Sequence, residues 1–249
     1  VTRAGVTKKD KLIEMGMLEN SVREVLGDAA PRRMGVLRPL KVVLTNYPDG
    51  EVEMMSAMNH PNRPELGTRE VPFSREIWIE RDDFMEDAPR KFFRLKPGGE
   101  VRLRSAYIIQ CNEVVKDADG NVTELYCTYD ETTKSGSPNS DRKVKGTIHW
   151  VSAPHALPAE VRLYDRLFKE ANPNAVDDFM TVLNDASLEV VTAMLEPSLA
   201  DLAAAEPVKL ERLGYFVRDP DWTDEHPVLN RIVTLRDSWA KLEKQALAS

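Results

Sequence analysis

The sequence alternates short stretches of strand-forming residues with turn signals, and this spacing restricts the fold more than any other feature. Turn signals occur at Pro48-Asp49-Gly50, Pro97-Gly98-Gly99 and Asp119-Gly120. An Asp-Gly pair between two strand-like stretches is a strong hairpin signal. Many short strands joined in this way are typical of sandwiches and barrels, so the sequence predicts a mainly β fold.

The predicted strands follow one another closely along most of the chain. They cover residues 41–47, 51–58, 76–80, 91–95, 100–115, 123–129, 143–151, 161–168, 188–195, 208–218 and 228–235. Short helices are predicted at 175–183 and 199–205. A longer amphipathic helix is predicted at 7–27, because Leu18, Val22 and Leu26 recur at helical spacing and Gly27 is a typical terminator. This helix needs another surface to pack against.

The composition argues against several classes of site. Cys111 and Cys127 flank a hairpin symmetrically, so a disulfide between them is the alternative, but they are interpreted as reduced core residues because the sequence has no export signal. The four histidines are scattered and no Cys-x-x-Cys pair occurs, so no metal site is expected. No apolar stretch is long enough to span a membrane. The chain begins with Val rather than Met, and we expect it to be part of a longer protein.

Charge is unevenly distributed along the chain. The formal net charge is −7, which by itself argues against nucleic acid. Residues 90–104, however, contain six basic residues and only one acid, whereas residues 171–207 contain seven acids and no Lys or Arg. Such segregation places a local positive field on an acidic body, which suits polyanion binding at one place. The alternative is a solvated surface strand pair.

The sequence contains no motif for catalysis. Glycine-rich phosphate loops and nucleophile elbows are absent. The pairs Asp82-Asp83 and Asp177-Asp178 resemble acid/base carboxylates, but adjacent side chains point apart on a strand or a helix, so both pairs are interpreted as solvated. We therefore predict no catalytic residue in this chain.

Four stretches in order along the chain resemble one enzyme family. They are Asn59-His60-Pro61-Asn62-Arg63-Pro64-Glu65 with Val71-Pro72-Phe73-Ser74, then Val101-Arg102-Leu103-Arg104, then Lys143-Val144-Lys145-Gly146-Thr147-Ile148-His149-Trp150-Val151, and Arg162-Leu163-Tyr164-Asp165-Arg166-Leu167-Phe168. Together they are similar to the C-terminal half of bacterial glutaminyl-tRNA synthetases. The Lys-Gly-x-Ile-His-Trp part also occurs in the eukaryotic and archaeal type of glutamyl-tRNA synthetase.

The resemblance implies two β-barrels that grip a tRNA anticodon loop between them. Residues 43–150 would form the distal barrel, and residues 30–42 with 151–240 the proximal one. Residues 1–29 would be a helical connector to a catalytic domain, and 241–249 a C-terminal tail. ATP would be used in that upstream catalytic domain, so no cofactor is expected in this chain. The implied protein is a cytoplasmic monomer.

The residue-by-residue match implies a set of RNA-contacting positions. They are Arg32, Asn62, Arg94, Arg102, Arg104, Lys209 and Arg212. Arg102 and Arg104 match the pair at the first anticodon base, and Asn62 and Arg94 match positions around the third. Arg32 and Arg212 match residues that hold the middle anticodon base.

The chain departs from the family at two of these places. Lys209 stands where the family usually has Gln, although Lys can still donate to a base carbonyl or a phosphate. Phe93 replaces a family Lys, and its ring is interpreted as a stacking surface.

General chemistry agrees with this assignment. Unpaired bases expose their edges to hydrogen bonding, and Arg offers a planar fork of donors. Arg102 and Arg104 are two apart on a predicted strand, so they should share one face while Val101 and Leu103 point inward. The alternative for each arginine is a surface salt bridge, and for Asn62 simple turn chemistry. The tryptophans are expected to pack in cores.

Other classes of protein remain open on the sequence alone. A glutamyl synthetase fragment would differ only in the anticodon that it reads. A free-standing barrel of the ribosomal-protein type would bind RNA without an adjoining domain. A protein-interaction module would not bind RNA at all.

Overall fold

The structure is a computed structural model that describes residues 15–170 and 172–236. Within these ranges, the α-helix α1 (Met15–Ala29) precedes sixteen strands. The strands are β1 (Arg32–Arg33), β2 (Gly35–Val36), β3 (Pro39–Leu44), β4 (Val52–Met58), β5 (Thr68–Ser74), β6 (Glu76–Glu80), β7 (Glu100–Leu103), β8 (Ile108–Lys116), β9 (Val122–Asp130), β10 (Thr147–Ile148), β11 (Val151–Ser152), β12 (Leu157–Tyr164), β13 (Leu188–Leu195), β14 (Pro207–Leu210), β15 (Gly214–Arg218) and β16 (Val228–Thr234).

Most of the strands belong to two seven-stranded sheets that curl into partly closed barrels, as the sequence predicts. The central sheet has the order β10, β7, β8, β9, β3, β6, β11, and the C-terminal sheet has the order β1, β14, β15, β16, β12, β13, β2. The hairpin of β4 and β5 forms a separate two-stranded ribbon. The mainly β fold is thus confirmed.

Each large sheet encloses its own hydrophobic core. Trp150 and Phe73 are fully buried in the core of the central sheet, where their rings meet edge to face at 4.9 Å. Phe216 and Trp222 are buried in the core of the C-terminal sheet. Trp78 packs against the central core as well, so the predicted packing role is confirmed for these tryptophans. Trp239 lies outside the described residues.

Helix α1 packs on the C-terminal sheet by one narrow edge. Val22 and Leu26 contact a small cluster that contains Tyr215 and Val233. The helix continues through Gly27 to Ala29, so the predicted end is two residues too early. The backbone N–H of Ala30 still bonds to the carbonyl of Leu26 at 2.9 Å, which keeps the last turn closed before Pro31. The predicted residues 7–14 lie outside the described residues.

Several predicted strands are wrong in their limits. The predicted strand 100–115 is interrupted after Leu103 by a tight turn with Ser105 at φ 58°. The predicted strand 208–218 is interrupted in the same way at Arg212, which has φ 66°. Left-handed backbone at a residue other than glycine is uncommon, so alternation alone does not reveal such turns. Residues 91–95 form no strand, and the strand β5 was not predicted.

Two of the predicted boundaries between the barrels, at residues 43 and 151, lie within strands of the central sheet. Strand β3 spans the predicted boundary at residue 43 and pairs with β6 and β9 along its length. Strand β11 pairs with β6, although residue 151 was placed in the proximal barrel. The division into barrels at these residues remains a prediction.

The helix predicted at 175–183 is reduced to 3-10 turns, and the helix predicted at 199–205 is wrong, since no helix lies at 200–205. Turns of 3-10 helix occupy Pro173–Ala175, Phe179–Val182 and Pro197–Leu199. Asp178 caps one of them by accepting from the backbone N–H of Met180 at 2.9 Å. Both Asp177 and Asp178 are exposed, in agreement with the interpretation from sequence.

The two cysteines face each other across a strand pair as free thiols. Cys111 and Cys127 are direct partners on β8 and β9, and both are fully buried. The hydrogen bond to Cys111, together with burial, raises the pKa of the Cys127 thiol. We expect a thiol reagent at pH 8 to modify neither cysteine in the folded protein and both after denaturation. Stoichiometric labelling of the native chain within minutes would contradict this arrangement.

Two buried carboxylates connect the C-terminal sheet to the rest of the fold, one to the β4–β5 hairpin and the other to the central sheet. Glu196, which follows β13, accepts hydrogen bonds from the backbone N–H of Met34 at 2.7 Å and from Arg69 of β5 at 2.8 Å. Asp83, which follows β6, accepts two bonds from Arg212, which lies between β14 and β15, at 2.5 and 2.6 Å. Asp83 is only 1% exposed, so the solvated interpretation is wrong for this residue, whereas its neighbour Asp82 is exposed.

Candidate nucleic-acid interface

A cavity of about 430 Å³ lies where the β4–β5 hairpin and both sheets meet. We call it the arginine cavity, because four arginines line it together with Met58 and Glu211: Arg32, Arg69, Arg102 and Arg104. Three of these arginines were predicted from the sequence to contact RNA. They come from residues far apart in the chain, and the strand order brings them together.

Strand β7 and the turn after it supply Arg102 and Arg104. Val101 and Leu103 are fully buried while both arginines line the cavity, so the predicted alternation is confirmed. Arg104 lies just past the end of β7, where its carbonyl accepts a hydrogen bond from Trp150 at 2.9 Å. The buried indole therefore fixes the turn that carries this arginine.

Strand β1 places Arg32 beside Lys209. The two residues are direct partners in the parallel pair of β1 and β14. Burial, followed by the charge of Arg32, lowers the pKa of the Lys209 ammonium, with Arg104 contributing and Glu211 opposing. Lys209 also lies 5.4 Å from the centre of the Tyr215 ring. These cations are held close together, and an anion placed among them would relieve their repulsion.

The cavity has unused hydrogen-bonding capacity. Among the described residues, Arg32 Nη1 and Arg104 Nε are buried nitrogens that have no hydrogen-bond partner. A buried donor without a partner costs about 1–3 kcal/mol, and an acceptor from a ligand would recover this energy. Glu211, 3.7 Å from Arg104, adds an acceptor to the same wall. Donors and an acceptor side by side match the edge of a nucleobase better than they match a phosphate alone.

Arg94 and Arg212 meet at a different place, the buried carboxylate of Asp83. Arg94 Nε lies 3.3 Å from Asp83, and Arg94 Nη1 donates to the carbonyl of Asp82 at 2.9 Å. Burial alone would lower the pKa of Arg212, but its hydrogen bonds to Asp83 and the carboxylate charge raise it. The Arg212 side chain is engaged in this contact between the sheets, and its role in RNA binding remains a prediction.

Asn62 lies in an exposed loop before Pro64 and does not itself line the arginine cavity, although its neighbour Pro61 does. Its backbone N–H donates to Nδ1 of the buried His60 at 3.2 Å, and His60 Nε2 lies 3.0 Å from the carbonyl of Gly27. The loop is thereby attached to the end of α1. The assignment of Asn62 to RNA binding remains a prediction.

Sequence reasoning missed two groups of basic residues. Arg69 lines the arginine cavity, and recognising the β5 strand would have placed it there. Lys143 and Lys145 line an open groove with Phe93 and Arg94. The family-like stretch at 143–151 contains both lysines, but its match suggested no role for them.

Other kinds of site find no support in the described part of the chain. Within residues 15–170 and 172–236, no three His, Cys, Asp or Glu side chains are grouped to hold a metal ion. No helix in these ranges has the length and apolar character needed to cross a bilayer.

Comparison with known sequences agrees with a tRNA-binding fold. Residues 30–130 and residues 147–219 each match a family described as "tRNA synthetases class I (E and Q), anti-codon binding domain". The first match covers most of the central sheet, and the second covers most of the C-terminal sheet. The arginine cavity takes residues from both matched regions.

Proteins named glutamine–tRNA ligase resemble this chain closely. The chain is 59% identical to the one from Rhodopirellula baltica over 96% of its own length, and 53% identical to the one from Vibrio vulnificus over 97%. It is 55% identical over 96% to the one from Escherichia coli O157:H7. The chain spans only 40–44% of the length of these relatives. It belongs to the anticodon-binding domain family of the class I tRNA synthetases for glutamate and glutamine.

Proposed function

We propose that the chain is the anticodon-binding part of a glutamine–tRNA ligase and that it binds the anticodon loop of glutamine tRNA. The observation that carries the proposal is the arginine cavity, where Arg32 and Arg104 hold buried donors without partners. The names of the relatives favour glutamine over glutamate.

The cavity suits single-stranded RNA for physical reasons. Its arginines offer planar donors to base edges, and its volume of about 430 Å³ suits one splayed base rather than a duplex. The wall residues come from both sheets, so a bound loop would contact both of them. The acidic remainder of the chain would repel RNA elsewhere and direct it to this cavity.

In the whole protein, this chain would select the tRNA while a catalytic domain upstream forms the aminoacyl bond with ATP. No residue of this chain is proposed to act on the amino acid or on ATP. We further propose that the protein is a cytoplasmic monomer.

The double variant Arg102→Ala/Arg104→Ala tests the cavity. At about 1 kcal/mol for each arginine, the low end for a base-reading residue, the Kd for glutamine tRNA should rise roughly 30-fold. Both arginines also have partners within the protein, which is why we use the low end. Fluorescence anisotropy with labelled tRNA at fixed salt measures the effect.

A control variant that also loses two positive charges distinguishes binding at the cavity from general electrostatic attraction to RNA. Arg75→Ala/Lys169→Ala removes one partly exposed and one exposed cation, neither of which lines the cavity. This variant should bind almost as well as the wild type. Equal affinities of the two double variants would contradict the proposal. Competition between glutamine tRNA and glutamate tRNA for the protein shows which of the two anticodons it recognises.

A further inference from the structure

We propose that Asp83 is a positioning residue for RNA binding. From outside the arginine cavity, it holds the turn that presents Glu211 to Arg104 on the cavity wall. The inference rests on the proposed function and adds a residue that no motif of the sequence assigns to RNA. Asp83 is buried, does not line the cavity, and would act only through the residues that it holds.

Glu211 and Arg212 form the middle of a tight turn between β14 and β15. The backbone N–H of Leu213 donates to the carbonyl of Leu210 at 3.1 Å, which closes the turn, and Arg212 has φ 66°. Glycine or asparagine normally takes this position of a turn, because other residues rarely adopt left-handed backbone. Contacts of the Arg212 side chain must therefore help to keep the turn in this form.

Asp83 supplies the main contact of the Arg212 side chain. The two terminal nitrogens of Arg212 donate to the two carboxylate oxygens at 2.5 and 2.6 Å. Two parallel bonds fix the plane of the guanidinium as well as its distance from the carboxylate. Arg212 Nη1 also lies 3.4 Å from Nδ1 of the fully buried His149. The Arg212 side chain is thus clamped by two buried residues that follow strands of the central sheet.

The carboxylate of Asp83 is itself fixed by neighbouring residues of the central sheet region. The backbone carbonyl of Asp83 accepts a hydrogen bond from the N–H of Leu95 at 2.9 Å, and Arg94 Nε lies 3.3 Å from the carboxylate. Two guanidinium groups therefore face one buried carboxylate, and their charges compensate for its removal from water. A carboxylate held in this way is a rigid anchor for the turn.

The turn carries this anchoring into the arginine cavity. Glu211 lines the cavity 3.7 Å from Arg104, whose Nε is a buried donor without a hydrogen-bond partner in the described part of the chain. The backbone N–H of Glu211 donates to the carbonyl of Arg33 at 2.9 Å, next to Arg32. A movement of the turn would change the spacing between these donors and the Glu211 acceptor. Because donors that must first be ordered bind more weakly, the cavity depends on a fixed turn.

The sign of the effect separates positioning from simple electrostatics. An acid near an RNA site repels the phosphates, so its removal should by charge alone strengthen binding. If Asp83 positions the cavity, removal of its charge should weaken binding instead.

Binding of labelled glutamine tRNA to the 249-residue chain tests this assignment. Asp83→Asn keeps the shape of the side chain, but it removes the charge and leaves one acceptor oxygen for the two nitrogens of Arg212. The Kd should rise roughly 10-fold, as for the loss of one charge-assisted hydrogen bond to the RNA. Fluorescence anisotropy at fixed salt measures the Kd, at a temperature where tryptophan fluorescence shows that the variant is folded.

Asp82→Asn is the matched control. It removes the same charge one residue away, but the Asp82 side chain is exposed, and Arg94 contacts this residue through its backbone carbonyl. The Kd of this variant should fall slightly or stay within about 2-fold of the wild type, as expected for an exposed acid near a polyanion.

A double-mutant cycle with Arg104→Ala distinguishes positioning from a general loss of stability. If Asp83 acts through Glu211 on Arg104, Asp83→Asn should raise the Kd by a much smaller factor when Arg104 is already replaced. A purely structural role would give the same factor in both backgrounds, because independent effects add.

Wild-type or tighter binding by Asp83→Asn would overturn the inference, and so would equal factors in the two backgrounds. If Asp83→Asn does not fold, Asp83→Glu takes its place, since it keeps the charge but moves the carboxylate by one methylene. An unchanged Kd for that variant would overturn the inference as well. If Arg102→Ala/Arg104→Ala weakens binding but neither Asp83 variant does, only this inference fails. If the wild type binds no glutamine tRNA, the proposed function fails and the inference fails with it.

Discussion

Glu196→Ala should lower the free energy of unfolding by about 3–5 kcal/mol, the usual cost of removing one partner from a buried ion pair. The Glu196 side chain is completely buried and bonds to Arg69, to Ser198 and to the backbone N–H of Met34. Its loss would leave the Arg69 guanidinium buried without a counter-charge. It would also remove the contact that holds β13 to the β4–β5 hairpin.

Guanidinium unfolding followed by tryptophan fluorescence measures this effect. The control is Glu189→Ala, since Glu189 pairs with Arg38 at 2.6 Å but both side chains are about half exposed. An exposed pair is worth roughly 1 kcal/mol or less, so this variant should stay near the wild type. A loss below 1 kcal/mol for Glu196→Ala would show that the buried network does not stabilise the junction.

Asp83→Ala should have a similarly large effect, about 3–5 kcal/mol, for a related reason. Asp83 is a buried carboxylate that receives Arg212 through two parallel bonds and lies 3.3 Å from Arg94. Arg212 belongs to the C-terminal sheet region and Asp83 to the central one. Without the carboxylate, two guanidinium groups would face each other at the contact between the sheets.

The neighbouring residue provides a stringent control for this variant. Asp82→Ala changes the same residue type one position away, but the Asp82 side chain is exposed. Its effect should stay within about 0.5 kcal/mol, as is usual for surface positions. Thermal or denaturant unfolding of the two variants side by side measures the difference. Equal stabilities would mean that Asp83 does not hold the sheets together.

Predictions from short stretches of sequence are confirmed where neighbouring residues determine the structure. The Asp119-Gly120 hairpin forms as predicted, with Gly120 at φ 85°, because few residues other than glycine tolerate that backbone. Val101 and Leu103 are inside while Arg102 and Arg104 face the cavity, because side chains alternate along a strand whatever its neighbours are.

Predictions from short stretches of sequence are wrong where contacts between distant residues determine the structure. The predicted strand 208–218 breaks at Arg212, whose left-handed backbone allows its side chain to reach Asp83. Adjacent aspartates gave no sign that one would be buried and the other exposed. Strand β5 was missed, so Arg69 was missed with it.

The sequence by itself determined the mainly β fold, the hairpin at Asp119-Gly120, the family and three of the four arginines of the cavity. These follow from side-chain alternation, turn geometry and ordered motifs, which are properties of neighbouring residues. The hairpin predicted at Pro48-Asp49-Gly50, by contrast, is wrong because β4 pairs with β5 and not with β3. Only the tertiary structure decided that Arg69 joins those arginines, that Arg212 turns to Asp83, and that Phe93 lies among the lysines. The distances between such residues depend on strand order and sheet packing, which no short stretch of sequence contains.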